Sequence, residues 1–162
     1  MADFVITTGG ASVGDKDLIK EAIDEINGEK LFWKIKIKPG SSVLCSKYNK
    51  TVIISLSGNP TAALTTFELL ARTSLERMSG GSKIEIKREK AVLLNDFNKK
   101  SQQRRFLRGQ HQYMDGKQCV YITQVKSGNG ILSSTLNSNC IIELEAGNAG
   151  VSQGTMVDII KF

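Results

Sequence analysis

The feature that most constrains this chain is a change of period at Ser79-Gly80-Gly81-Ser82. Before it, short apolar stretches alternate with amphipathic helical ones. After it, only period-two stretches follow, near residues 83–94, 104–114, 118–126, 138–145 and 155–162. Helices and strands bury their apolar faces differently, so the switch predicts an α/β layer over residues 1–80 and a small all-β domain over residues 81–162. A length of 162 residues with 40% hydrophobic content suffices for two small cores.

Within the first part, residues 3–8 read as an apolar, β-branched strand of the kind buried on both faces of a parallel sheet. It begins without a leader or cap, as expected of a chain that opens inside a domain. A glycine-rich turn at residues 9–15 leads to a helix over residues 16–27, with Leu18, Ile19, Ala22, Ile23 and Ile26 as its apolar stripe. Residues 31–38 alternate as one strand, placing Phe32, Lys34, Lys36 and Lys38 on one side and Leu31, Trp33, Ile35 and Ile37 on the other, with Trp33 expected in the core. Residues 43–48 and 51–56 predict a hairpin through Asn49-Lys50. A second helix over residues 60–78 starts at Pro60, where no amide donor is required.

Cys45, Cys119 and Cys140 lie far apart, with no CxxC pair and a single histidine, His111. This suggests neither a disulfide framework nor a zinc site and predicts reduced, mostly structural thiols. His111 reads as a strand residue, because no serine or cysteine nucleophile motif accompanies it. No apolar run approaches the length of a membrane span and the N-terminal residues lack the basic-then-apolar order of a secretory signal, which predicts a cytoplasmic protein without a membrane partner. The net charge of +6 favours anionic partners: nucleic acid, phosphate groups or small oxyanions. Aromatic residues make up 6% of the chain and are not interleaved with the basic clusters at residues 83–90 and 99–108, so no nucleic acid is expected.

Two turns each follow a strand and precede a helix: Gly9, Gly10, Ser12 and Gly14 in the first, and Ser57, Gly58, Asn59 and Pro60 in the second. Such turns sit at the carboxyl ends of strands, where open α/β sheets bind ligands and helix N-termini offer amide donors to oxyanions. The same glycines could serve only to make tight turns. Asp15 and Asp17 follow the first turn and suit either a helix cap or a hard cation such as Mg²⁺. Of the two, Asp17 is the better candidate for a catalytic or metal-linked role. Lys34, Lys36 and Lys38 could face solvent or line an anion cleft.

The series ITTGGASVGDKD (6–17), FWKIKIKPG (32–40) and LSGNPTAALTTFELL (56–70) resembles, in order and spacing, the third domain of the MoeA and gephyrin E-domain family. RRFLRG (104–109), SGNGILSSTLNSNCIIEL (127–144) and VSQGTMVDI (151–159) resemble its small fourth domain. The resemblance implies a truncated, MogA-like molybdopterin-binding α/β layer followed by a β-barrel-like domain. It further implies a molybdenumtransferase that hydrolyses adenylylated molybdopterin with Mg²⁺, inserts molybdate and releases AMP. By the same resemblance Asp17, Lys34 and Lys38 are catalytic, Asp15 and Asp17 hold metal, and Arg104, Arg105, Arg108, Ser133 and Ser134 lie on the molybdate side. The family pattern also implies a homo-oligomer, a molybdopterin adenylyltransferase as partner, and a fragment inactive by itself. A gephyrin-like scaffold without catalysis is the alternative. Two departures bear on anion affinity: Lys38-Pro39-Gly40-Ser41-Ser42 replaces the family's KPGKP, and Ser57-Gly58-Asn59-Pro60-Thr61-Ala62 replaces PGNPVS.

Overall fold

The computed structural model describes residues 2–12, 17–81, 85–123 and 137–162. In chain order the strands are β1 (Phe4–Thr8), β2 (Glu29–Trp33), β3 (Ile37–Lys38), β4 (Leu44–Tyr48), β5 (Thr51–Leu56), β6 (Glu89–Leu93), β7 (Arg104–Met114), β8 (Lys117–Ile122), β9 (Cys140–Leu144) and β10 (Met156–Lys161). The helices are α1 (Ile19–Glu25), α2 (Pro60–Thr66) and α3 (Arg72–Met78), the last two joined by a π-helical stretch, Phe67–Ala71. These elements form two units, Met1–Lys36 with Gly40–Glu85, and Ile37–Pro39 with Ile86–Phe162. Set against a single division near residue 80, Ile37–Pro39 is the difference: β3 pairs in parallel with β7 and so belongs to the second unit.

In the first unit the sheet order is β1-β5-β4-β2, with β1 parallel to β5 and the other pairs antiparallel. The β4–β5 hairpin turns through Asn49, whose positive φ of 53° an asparagine tolerates. The helical run from Pro60 to Met78 follows from its start. Asn59 caps it by accepting the Ala62 N–H at 3.2 Å, and Pro60 stands at the first position. Ala63, Phe67 and Leu70 form one stripe of this run and pack on Val43, Cys45, Ile54 and Leu56 of the sheet.

Several expectations for this unit are corrected. β1 is not buried on both faces, since its residues are half-buried or exposed, Ile6 among the latter; only β5 pairs with it among the described residues, the open edge expected of a truncated domain. The first helix is shorter than residues 16–27, because Leu18 at its start brings no side-chain cap and Asn27 turns left-handed, at φ 54°, just beyond its end. The strand expected over residues 31–38 breaks at Lys34, whose φ of 65° reverses the backbone, so Lys34, Lys36 and Lys38 do not share one strand face. Trp33 is not a core residue. It ends an edge strand with every residue exposed, and is itself 38% exposed.

In the second unit β7, β8, β6, β10 and β9 pair in turn, and β9 returns to β7, closing a five-stranded barrel. Arg105 is in register with Lys38 of β3 and with Leu144 of β9, so these two strands flank opposite edges of β7. Alternation sends Leu93, Val120, Ile142, Leu144 and Ile159 into the core. Each such side chain, fully buried, contributes about 1.5–3 kcal/mol. The strands expected at residues 83–94 and 118–126 appear as the shorter β6 and β8; residues 82–84 and 124–136 lie outside the described residues. All three cysteines are free and buried.

Candidate functional site

The two glycine turns meet. Gly9 N–H donates to the Leu56 carbonyl at 3.0 Å, and a Cβ on Gly58 would stand 3.4 Å from the Gly9 Cα. Parallel pairing of β1 with β5 brings this about, because both strands end at the same level, Thr8 opposite Leu56. Gly9 and Gly10 adopt φ of 86° and 69°, and a Cβ on Gly10 would reach within 3.0 Å of Ile19 Cγ1. Backbone geometry thus accounts for both glycines, and the close approach of Gly58 to Gly9 accounts for the third.

Around this junction the polar groups are partly engaged. Ser57 Oγ accepts the Asn59 N–H at 3.2 Å, and the Asn59 side chain caps α2 at Ala62, so one amide of the second turn and one of the first turn of α2 already have partners. Ser12 and Ser42 hydroxyls lie 3.3 Å apart, so one of the serines that replaces the family's lysine-proline touches the first turn. The α1 start contributes less than expected, since seven residues build only a short dipole. Asp17, just before Leu18, is half-buried. Gly14, Asp15, Ser133 and Ser134 lie outside the described residues.

Trp33 closes this side of the unit. Its indole Nε1–H donates to the Ala11 carbonyl at 3.1 Å, and the Lys20 and Lys34 ammonium groups lie 3.7 and 4.2 Å from its ring centre. Sequence reasoning missed Lys20, which no spacing rule singles out. It also missed Trp33, read as core.

In the second unit, neighbours in register on parallel strands share a face, which places Lys38 beside Arg105. Successive residues of β7 point to opposite faces, so Arg104 and Arg108 share one face and Arg105 takes the other; the three do not form one cluster. Arg104 is neutralised by Glu143 at 3.0 Å and Glu145 at 2.8 Å. Glu143, buried, also receives Arg88 at 2.6 Å; a lone acid within the apolar run of β9 was the sequence sign of this pairing. Arg105 and Arg108 are 9% and 7% exposed, and the Nε of each lacks a hydrogen-bond partner. Arg105 donates to the Lys100 carbonyl at 3.3 Å and lies over Phe97; Arg108 donates to Ser138 Oγ at 3.0 Å. Burial pushes the Arg108 guanidinium down from its ordinary value. Burial likewise raises the Cys140 thiol to about 11, which keeps it protonated and inert.

No group of three His, Cys, Asp or Glu residues suited to a metal occurs among the described residues. Of the pair expected to hold magnesium only Asp17 lies among the described residues.

A family model described as "Probable molybdopterin binding domain" matches residues 1–77, and one described as "MoeA C-terminal region (domain IV)" matches residues 90–162. The chain belongs to the MoeA family. The molybdopterin molybdenumtransferase of Staphylococcus aureus (strain COL) is 35% identical over 161 residues, covering 98% of this chain and 38% of the relative. That of Staphylococcus epidermidis is 33% identical over the same number of residues, again 38% of its length. The crystal structure of a molybdopterin biosynthesis MoeA protein from Pyrococcus horikosii matches with a TM-score of 0.79 at 25% identity, over 99% of this chain and 37% of that one. The chain therefore spans 38% of the length of the curated MoeA-family relatives it matches. Both of these relatives are named as transferases, which favours the enzymatic reading over the scaffold one. Among the described residues no helix is long and apolar enough to cross a membrane.

Proposed function

We propose that this chain supplies part of a molybdenum-insertion centre, which accepts adenylylated molybdopterin, hydrolyses it and inserts molybdate to give molybdenum cofactor and AMP. The observation that carries this reading is the meeting of the Gly9–Gly10 and Ser57–Pro60 turns beside Lys34, in a chain of the MoeA family. Both substrates are multiply charged oxyanions, and a site of backbone turns and lysines stabilises such charge. Gly9, Gly10, Ser12, Gly14, Ser57, Gly58, Asn59 and Pro60 form the molybdopterin side. Asp17 orients the attacking water and takes its proton as the phosphoanhydride opens, and Lys34 balances the charge on the departing phosphate; Lys38, carried by the second unit, is proposed as a further catalytic lysine. Arg105 and Arg108, each without a carboxylate partner among the described residues, are alternative molybdate ligands on opposite faces of β7, and either is better suited than Arg104; Ser133 and Ser134 are proposed for the same role.

The reading includes a magnesium requirement, with Asp15 and Asp17 as ligands, a cytoplasmic location, homo-oligomer formation and delivery of substrate by a molybdopterin adenylyltransferase. The chain alone is proposed to be inactive. In the full-length protein, Asp17→Asn should reduce insertion at least 100-fold, on the scale of general base catalysis, while changing molybdopterin affinity little. Lys38→Ala should mainly weaken substrate binding. Paired binding and turnover assays decide, and equal, small losses in both variants would overturn these roles.

A further inference from the structure

Lys20 and Lys34 place two positive charges against one aromatic ring, 3.7 and 4.2 Å from its centre. The two ammonium groups therefore stand at most about 8 Å apart, and at such a distance like charges repel. Neither is paired with a carboxylate among the described residues, although Lys30 nearby in sequence takes Asp24 at 2.6 Å. The electron-rich face of an indole compensates such repulsion in part, and an anion received by both cations compensates it more fully.

Two hydrogen bonds tie the arrangement to the turn junction, and a third ties it to the sheet. Trp33 Nε1–H holds the ring to Ala11, directly after Gly9-Gly10. The Ile19 N–H donates to the Gly10 carbonyl at 3.3 Å and so fixes the backbone that carries Lys20. The Lys34 N–H donates to the Val43 carbonyl at 2.8 Å, holding that lysine to the sheet in its left-handed conformation.

We infer that Lys20 is a further anion-binding residue of this site, that Trp33 is its positioning residue, and that Lys20 and Lys34 together receive one multiply charged oxyanion. The inference rests on the proposed site at the two turns. Diphosphate and molybdate share the required chemistry, and separate titrations distinguish them. Trp33 is the only tryptophan of the chain, so its emission reports the arrival of an anion between the lysines.

The test titrates the chain with inorganic pyrophosphate and, separately, with molybdate, following tryptophan emission and heat. Lys20→Gln should weaken binding about tenfold, the loss expected of one charge-assisted hydrogen bond. By calorimetry, Trp33→Phe should keep most of the affinity because a π face remains, whereas Trp33→Leu should lose about as much as Lys20→Gln. Lys50→Gln, in the hairpin turn at the other end of β5, should leave both titrations unchanged. A loss confined to one anion supports the inference and assigns the pair to that anion. Equal affinity in the parent and Lys20→Gln for both probes overturns the role of Lys20 but leaves the turn site standing. Parent-like affinity in Trp33→Leu overturns the positioning role, and no binding of either probe by the parent overturns both the inference and the site.

Discussion

Lys161 and Lys87 reach the Glu89 carboxylate at 2.6 and 3.2 Å, and hydrogen bonding to these cations holds the carboxyl down at about 2. A carboxyl lowered on folding stabilises the native state above its unfolded value and loses that contribution as pH falls through the folded one. The window here runs from the ordinary carboxyl range down to about pH 2. Glu89→Gln should therefore melt at a lower temperature than the parent at pH 6, and the two should converge as pH approaches 2. The carboxylate is only partly buried and its lysine partners reach solvent, so added salt should narrow the gap. Thermal melts by circular dichroism at several pH values check this, and a gap that widens toward acid would contradict it.

At the scale of elements, β7 crosses the barrel core so closely at Gly109 that an added Cβ would lie 2.8 Å from both Ile142 Cδ1 and Val120 Cγ2. Overpacking of this kind costs about 1–3 kcal/mol, so Gly109→Ala should lower the urea midpoint and Gly109→Val should lower it further. A midpoint unchanged in both would show that the strand can retreat. The hairpin, the helical run from Pro60 and all five barrel strands were legible in the sequence, because period, turn residues and caps act locally. The break at Lys34 was not. Alternation ran unbroken through FWKIKIK, and only the pairing partners, Val43 for Lys34 N–H and, far along the chain, Arg104 for Ile37, decide where β2 stops and β3 starts. For the same reason sequence reasoning found the two turns, each a local motif. It put Trp33 in the core and passed over Lys20, whose significance arises only when the helix and strand meet at Ala11 and Gly10.

Taken whole, the molecule leaves one side of β1 without a strand partner among the described residues, with Phe4 and Val5 half-buried and Ile6 exposed. Open apolar edges recruit other strands, so the chain should associate at micromolar concentration, and Ile6→Lys should weaken that association. Sedimentation equilibrium tests both; a stable monomer across that range would refute the expectation. The pairing of β3 with β7 bears on a different matter, the order of events during synthesis. Ile37 and Lys38 leave the ribosome well before Arg104 and Arg105 exist, so their backbone partner is missing while the first sheet can already begin to form. The nascent chain must carry a strand in waiting until β7, more than sixty residues later, completes the ladder.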